Sequence, residues 1–385
     1  MASTALLMRA VALPARALAS RLRAHPEAGL ACQRPRAPRR ERIARLSAVA
    51  GDAGGDSPAA SPATSPPASS SPPARLGVLS SGAVLVPHPD KAEKGGEDAC
   101  FVLRDHGAFG VMDGVGGWAD EGVDPAAYSN TFAEKAAAAV LMGVDDPRAV
   151  IAEAHEHTRV VGSATACVAV LDGAPLPSEA NDPNASYGAR VRIGNLGDAG
   201  AMIARGAEVV FSTPAQQHEF NCPFQLGWRE FYPESDKAED AETFAVDCRP
   251  GDALIMGSDG LWDNVPPWEA AEVCAALMEE GKDAQEVAEA IATRAFEHSV
   301  DEEYDSPFTV EARKNGYDVE WWEKAQGKLL VGGKMDDIAV VVAFLAEKEK
   351  CPPPAADPDP DTKTDDDEAG AEGEPSPDDD AETAP

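Results

Sequence analysis

Two apolar runs in this 385-residue chain stop at an aspartate followed by glycine: Ala108-Phe109-Gly110-Val111-Met112-Asp113-Gly114 and Ala253-Leu254-Ile255-Met256-Gly257-Ser258-Asp259-Gly260. A buried strand that ends in a carboxylate brings that charge to the rim of a sheet. The glycine behind it permits a sharp turn or a close backbone approach. Two acidic pairs stand at the other end of apolar runs: Glu97-Asp98 precedes Ala99 to Leu103, and Asp336-Asp337 opens Ile338 to Leu345. A single Asp-Gly step is ordinarily a plain turn, but carboxylates at several strand ends suggest one assembled site. Hard divalent cations such as Mg²⁺ and Mn²⁺ take carboxylate, carbonyl and water oxygens, and the Gly114 carbonyl is unhindered by any Cβ. Two such ions a few ångströms apart share a water, lower its pKa and clamp a phosphoryl group. Asp98, Asp113, Asp259 and Asp336 therefore point to a hydrolytic metal site.

The elements that must carry these residues are legible as runs and periodicities. Strand-like segments cover Gly77 to Val86, Ala99 to Leu103, Ala108 to Met112, Thr165 to Leu171 and Ala189 to Leu196. Further ones are Ala201 to Ala204, Val209 to Ser212, Phe244 to Cys248, Ala253 to Gly257 and Ile338 to Leu345. Arg205-Gly206 reads as a hairpin turn. Helices cluster in two places, Pro125 to Met142 with Pro147 to Val160, and Pro267 to Glu280 with Ala284 to Glu297, each opened by a helix-start signal. Strands in long groups with helices in separate groups indicate α+β, with two mainly antiparallel sheets packed together and helix pairs outside. The segment Ser306 to Lys334, with Trp321 and Trp322, interrupts the pattern before the last strand.

Composition divides the chain. The first fifty residues hold ten arginines, no lysine and only Glu27 and Glu41 as acids, the Arg-rich, acid-poor pattern of an organelle transit peptide; a disordered basic tail has the same composition. Residues 51–75 are a Ser/Pro/Ala linker that buries too little to order itself, and residues 351–385 form a Pro/Asp/Glu tail. The folded domain is expected over residues 76–350. The net charge is −34; setting aside +8 in the leader and −12 in the tail leaves about −30 between them. That acidity argues against nucleic acid or an anionic lipid surface as partner, and an anionic substrate would need a local cation, which a bound metal provides. The seven cysteines show no CxxC pair and no regular spacing, so neither zinc nor a disulfide framework is suggested. No apolar stretch, Ala136 to Met142 and Ile338 to Ala346 included, approaches the ~20 residues of a membrane span.

An ordered series of motifs resembles a known family. It runs Gly96-Glu97-Asp98-Ala99, Met112-Asp113-Gly114-Val115-Gly116-Gly117-Trp118, Gly162-Ser163-Ala164-Thr165 and Gly194-Asn195-Leu196-Gly197-Asp198. It ends with Gly257-Ser258-Asp259-Gly260-Leu261-Trp262-Asp263-Asn264 and Gly333-Lys334-Met335-Asp336-Asp337-Ile338. In content and order it resembles the metal-dependent type 2C Ser/Thr protein phosphatases. His88-Pro89-Asp90-Lys91, Gly95-Gly96-Glu97-Asp98 and Ser306-Pro307-Phe308 resemble the organellar branch. The insertion from Gly316-Tyr317-Asp318-Val319 through Gly327-Lys328 to Gly332-Gly333-Lys334 resembles plastid phosphatases of the photosystem II core.

The resemblance implies an α-β-β-α sandwich, two Mn²⁺ or Mg²⁺ ions with a third, weaker one, and phosphothreonine or phosphoserine proteins as substrates, hydrolysed by a hydroxide bridging the ions. It implies photosystem II core subunits at the stromal face of thylakoids as partners, for a monomer in the chloroplast; a mitochondrial phosphatase or a non-catalytic phosphopeptide-binding regulator is the alternative. Carried onto this sequence, Asp113 bridges both metals, and Asp259 and Asp336 hold the first. The Gly114 carbonyl, with Glu97 acting through water, holds the second, while Asp98 orients waters. Asp198 matches the position that helps bind the third ion with Asp259, although a Gly-Asp hairpin turn needs no metal. Asp263 reads as a cap or turn residue, and Asp337 stands where the family often has asparagine. Two departures matter. Val115 replaces a histidine that is a candidate proton donor in many members, so a metal-bound water or another acid must protonate the leaving oxygen. Glu93 stands near the position of a phosphate-gripping arginine, leaving Lys91 or Lys94 to bind phosphate. His155 and His157, two apart in a helix, face different sides and are not expected to share a metal.

Overall fold

The computed structural model describes residues 76–172, 189–324 and 326–351; the leader, the linker and the tail beyond Cys351 lie outside them. Strand Ile338–Glu347 shows how the layers arise, because every residue from Ile338 to Ala346 is buried. Alternate side chains leave a strand on opposite faces. Ala339, Val341, Ala343 and Leu345 enter one core, shared with Phe109, Val111, Cys167 and Ile193 of another sheet. Ile338, Val340, Val342 and Phe344 enter a second, shared with Val287, Ile291 and Ala295 of a helix. A strand covered on both faces reads as a continuous apolar run, as this one does.

The first sheet has the order Leu76–Val86, Ile338–Glu347, Asp252–Gly257, Gly200–Arg205, Glu208–Ser212. The second has Glu242–Cys248, Ala189–Leu196, Ala166–Asp172, Ala108–Met112, Ala99–Leu103. All pairings within both are antiparallel. Helices Pro267–Glu279 and Ala284–Ser299 cover the outer face of the first sheet, and Pro125–Leu141 and Pro147–His157 cover that of the second, where Tyr128, Phe132 and Ile151 pack on Phe101 and Met112. The result is the expected α-β-β-α sandwich. Asp124 and Asp146 cap their helices, and Asp283 forms a capping box with Glu286, each contributing about 1 kcal/mol. Gly206, at φ +54°, makes the expected hairpin turn. Cys100, Cys167, Cys248 and Cys274 are buried free thiols. No helix of the described residues is long and apolar enough to cross a membrane.

Register gathers the strand ends. Ala99 pairs with Met112, and Gly257 pairs with both Val340 and Gly200. Those pairings bring Glu97-Asp98, Asp113, Asp198, Ser258-Asp259 and Asp336-Asp337 to one edge of the sandwich. Asp198 lies where the chain crosses from strand Ala189–Leu196 in one sheet to Gly200–Arg205 in the other. The interrupting segment is partly helical: Ser306 caps helix Pro307–Lys314, and a helical turn spans Trp321–Lys324.

Candidate metal centre

Asp113 follows strand Ala108–Met112 and is held from both sides. Its N–H donates to Thr165 Oγ1 at 3.3 Å, and its carbonyl accepts from Thr165 N–H at 2.9 Å. Gly114 bridges to Ala164, and Val115 N–H donates to the Ser163 carbonyl at 3.0 Å. The loop beyond is pinned by Trp118, whose indole N–H donates to Ser163 Oγ at 2.6 Å. Neither Gly114 nor Gly260 has positive φ, so neither position needs glycine for left-handed backbone. What both supply is space. A Cβ on Gly114 would stand 2.6 Å from the Glu97 carbonyl oxygen, and one on Gly260 would stand 1.9 Å from that of Asp337. Asp259 itself starts the short helix Asp259–Trp262.

Carboxylate oxygens of Asp113, Asp198 and Asp259 all lie within 4.8 Å of one another. Such a cluster needs a proton or a cation among its groups. Asp98 Oδ2 and Asp198 Oδ1 are buried without a hydrogen-bond partner. Unsatisfied buried oxygens aimed into an all-oxygen donor set fit a hard divalent cation, and the residues present therefore suit the ions the sequence implied.

Two ammoniums flank the cluster. Lys91 Nζ reaches Glu97 Oε2 at 2.7 Å, Asp337 Oδ2 at 3.2 Å and Asp336 Oδ1 at 3.9 Å. Lys334 Nζ reaches Asp259 Oδ2 at 2.5 Å, Asp263 Oδ2 at 2.7 Å and Asp336 Oδ2 at 3.6 Å. Asp336 thus stands between the two lysines. Of the two phosphate-binding candidates, Lys91 lies at the cluster with its side chain 31% exposed, whereas Lys94 is exposed and makes no ion pair with the described residues. His155 bonds the Gly227 carbonyl and His157 is exposed, so the pair is split as expected.

Three further groups at the cluster carry little or no local signal in the sequence. Lys334 precedes Asp336 by two residues, and extended chain puts i and i+2 on one face. Asp263 caps the short helix as expected, and its carboxylate also joins the cluster, four residues after Asp259 and hence on the same helical side. Asp337 carries no visible signal of its task. Its Oδ1 accepts from His88 N–H at 2.6 Å and its Oδ2 from Glu97 N–H at 3.0 Å, fastening the loop that presents Glu97 and Asp98. Asp337→Ala is expected to lower unfolding free energy by about 3 kcal/mol, since hydrogen bonds to a buried charge are lost. Urea denaturation with Mn²⁺ present measures it, and an unchanged midpoint contradicts it.

Crowding shifts the acids. Burial is the largest cause in each case, and the Asp259 charge adds to it. Asp98 and Asp113 rise well above the carboxyl range, Asp198 to about 8, Asp336 to about 7 and Asp263 to about 6. Burial also pushes Asp259 upward, but the Lys334 ammonium outweighs it and leaves that carboxyl below its usual value. Burial lowers both lysines; the carboxylates around them more than compensate, and both end above the ordinary value. An acid raised in the folded state stabilises it below the unfolded pKa, and that contribution is lost as pH rises through the folded value. In EDTA, Tm should therefore fall between about pH 5.5 and 8.5, and the Tm gain on adding Mn²⁺ should grow over the same interval. Thermal scans across that range check this; a flat Tm in EDTA contradicts it.

Comparison with known proteins bears on what this centre belongs to. A protein of Oryza sativa subsp. japonica, "Probable protein phosphatase 2C 1", is 39% identical over 270 residues, covering 69% of this chain and 75% of that protein. The chain belongs to the protein phosphatase 2C family. The model of that family, "Protein phosphatase 2C", matches residues 242–303, which include Asp259 and Asp263. "Probable protein phosphatase 2C 26" of Arabidopsis thaliana is 38% identical over 275 residues, covering 69% of this phosphatase and 83% of the relative. Among solved structures, that of the photosystem II phosphatase PBCP is 38% identical and superimposes with a TM-score of 0.61, covering 70% of this chain and 98% of that one. The chain is thus a protein Ser/Thr phosphatase of a metal-dependent family.

Proposed function

We propose that this phosphatase removes phosphate from phosphothreonine and phosphoserine of photosystem II core subunits at the stromal face of thylakoids. The observation that carries the catalytic part is the convergence of the Asp113, Asp198 and Asp259 carboxylates within 4.8 Å. The substrate part is supported by the 38% identity to the photosystem II phosphatase PBCP over nearly all of that chain. Asp113 would hold both Mn²⁺ or Mg²⁺ ions, Asp259 and Asp336 the first, and the Gly114 carbonyl the second, with Glu97 acting through water. When bound, the ions supply an activated water for in-line attack on phosphorus and neutralise the phosphoryl oxygens.

The protein's own groups do the rest. Asp98, buried beside Ser258, orients water entering the centre. Lys91, partly exposed and already ion-paired to Glu97, offers the phosphate a positive charge at the rim of an otherwise acidic surface. Val115 has no proton to give, so the leaving alkoxide takes its proton from another acid or from water. Residues 1–50 would deliver the protein to the plastid, 51–75 serve as linker, 76–350 form the phosphatase domain and 351–385 the acidic tail. Incubation with phosphorylated thylakoids and Mn²⁺ tests the substrate: phosphate should leave the photosystem II core subunits, and unchanged phosphorylation contradicts the assignment.

A further inference from the structure

Lys334 is an unusual occupant of a carboxylate cluster, and its placement is enforced. Its N–H donates to Asn264 Oδ1 at 2.9 Å and its carbonyl accepts from Asn264 Nδ2 at 2.7 Å, so one buried amide clamps the backbone on both sides. The same Nδ2 donates to the Gly260 carbonyl at 2.9 Å, tying this clamp to the residue after Asp259. Phe308 closes the remaining side, with its ring centroid 5.2 Å from Nζ, inside cation–π range. The side chain is 16% exposed. It is a fixed charge, not a solvated one.

That charge sits where a further divalent ion would have to sit. Nζ lies within hydrogen-bond distance of the facing oxygens of both Asp259 and Asp263. Asp198, on the same flank, has one oxygen taken by Gln217 at 3.1 Å and the other buried without a partner. A cation bound by Asp198, Asp259 and Asp263 would need the oxygens the ammonium already holds, at the ~2.0–2.1 Å of Mg²⁺–oxygen contacts. The two cannot share the place. The formal charge agrees: eight carboxylates (Glu97, Asp98, Asp113, Asp198, Asp259, Asp263, Asp336 and Asp337) and two lysines give −6, which two divalent ions reduce to −2.

We infer that Lys334 is a built-in cation that takes the place of a third divalent ion on the Asp198, Asp259 and Asp263 flank, so that the centre binds two ions and no more. The tethered ammonium cannot dissociate, and that flank stays neutralised however low the free metal concentration falls. Neutralising Lys334 frees the oxygens of Asp259 and Asp263 and opens the flank to metal.

The inference rests on the two-ion reading of the centre, and counting bound Mn²⁺ separates the two. Equilibrium dialysis of the purified protein against millimolar Mn²⁺, with metal analysis, is expected to give two ions per wild-type chain, two for Lys334→Arg and three for Lys334→Gln. Adding Asp263→Asn to Lys334→Gln should return the count to two. Lys334→Met serves as a second neutral variant should Lys334→Gln fail to fold. Three ions in the wild type, or two in a folded neutral variant, overturns the inference and leaves the metal centre standing. A wild type that binds no Mn²⁺ overturns both.

Discussion

Asp113→Asn is expected to cut kcat/KM for a phosphothreonine peptide by roughly 10³-fold, about 4 kcal/mol of lost transition-state stabilisation. The carboxylate lies within 4.8 Å of those of Asp198 and Asp259, so removing its charge weakens the hold on every cation there. Stability should move the other way. Burial, with the charges of Asp259, Asp98 and Asp336, already keeps the Asp113 carboxyl well above its ordinary pKa. A neutral amide relieves that repulsion. Tm in EDTA should therefore match or exceed that of the wild type. Loss of activity with a lowered Tm in EDTA would show damage to the fold and contradict the role assigned to Asp113.

Gly260→Ala is the second large effect, and two principles pull against each other in it. Gly260 lies within helix Asp259–Trp262 without positive φ, so helix propensity alone favours alanine by about 1 kcal/mol. Space forbids it. The new Cβ would lie 1.9 Å from the Asp337 carbonyl oxygen and 3.3 Å from Ile338 Cγ1, and a backbone atom cannot swing aside as a flexible side chain can. The segment carrying Asp336 and Asp337 must move off the helix carrying Asp259. We expect a loss of about 3 kcal/mol and a markedly higher Mn²⁺ concentration for half-maximal activity. A gain in Tm with unchanged metal requirement would contradict this packing account.

Much of the fold was legible because it is written in local patterns. A strand covered on both faces, such as Ile338–Glu347, is a continuous apolar run, and helices Pro125–Leu141 and Pro267–Glu279 begin at prolines. The short ladders Gln217–Glu219 with Cys222–Pro223 and Ser163–Ala164 with Leu226–Gly227 are too brief to show a period. Helix Pro307–Lys314 carried a start signal in Ser306-Pro307 but buries only Thr309 and Ala312. At the site, Asp113, Asp198 and Asp259 were legible because each ends or joins a strand at the same edge. Lys334 and Asp337 were not, because their partners lie far away in sequence: Asp259 and Asp263 for Lys334, His88 and Glu97 for Asp337. Local spacing does not register an ion pair closed by tertiary folding.

We assign phosphomonoester hydrolysis to this carboxylate cluster with metal bound. Phosphate release from a phosphothreonine peptide, followed in EDTA and after Mn²⁺ is restored in excess, tests it most directly. No release above background is expected in EDTA, with full recovery on Mn²⁺ and no recovery in Asp113→Asn or Asp259→Asn. Hydrolysis that persists in EDTA, or recovery in either variant to the wild-type rate, would contradict it.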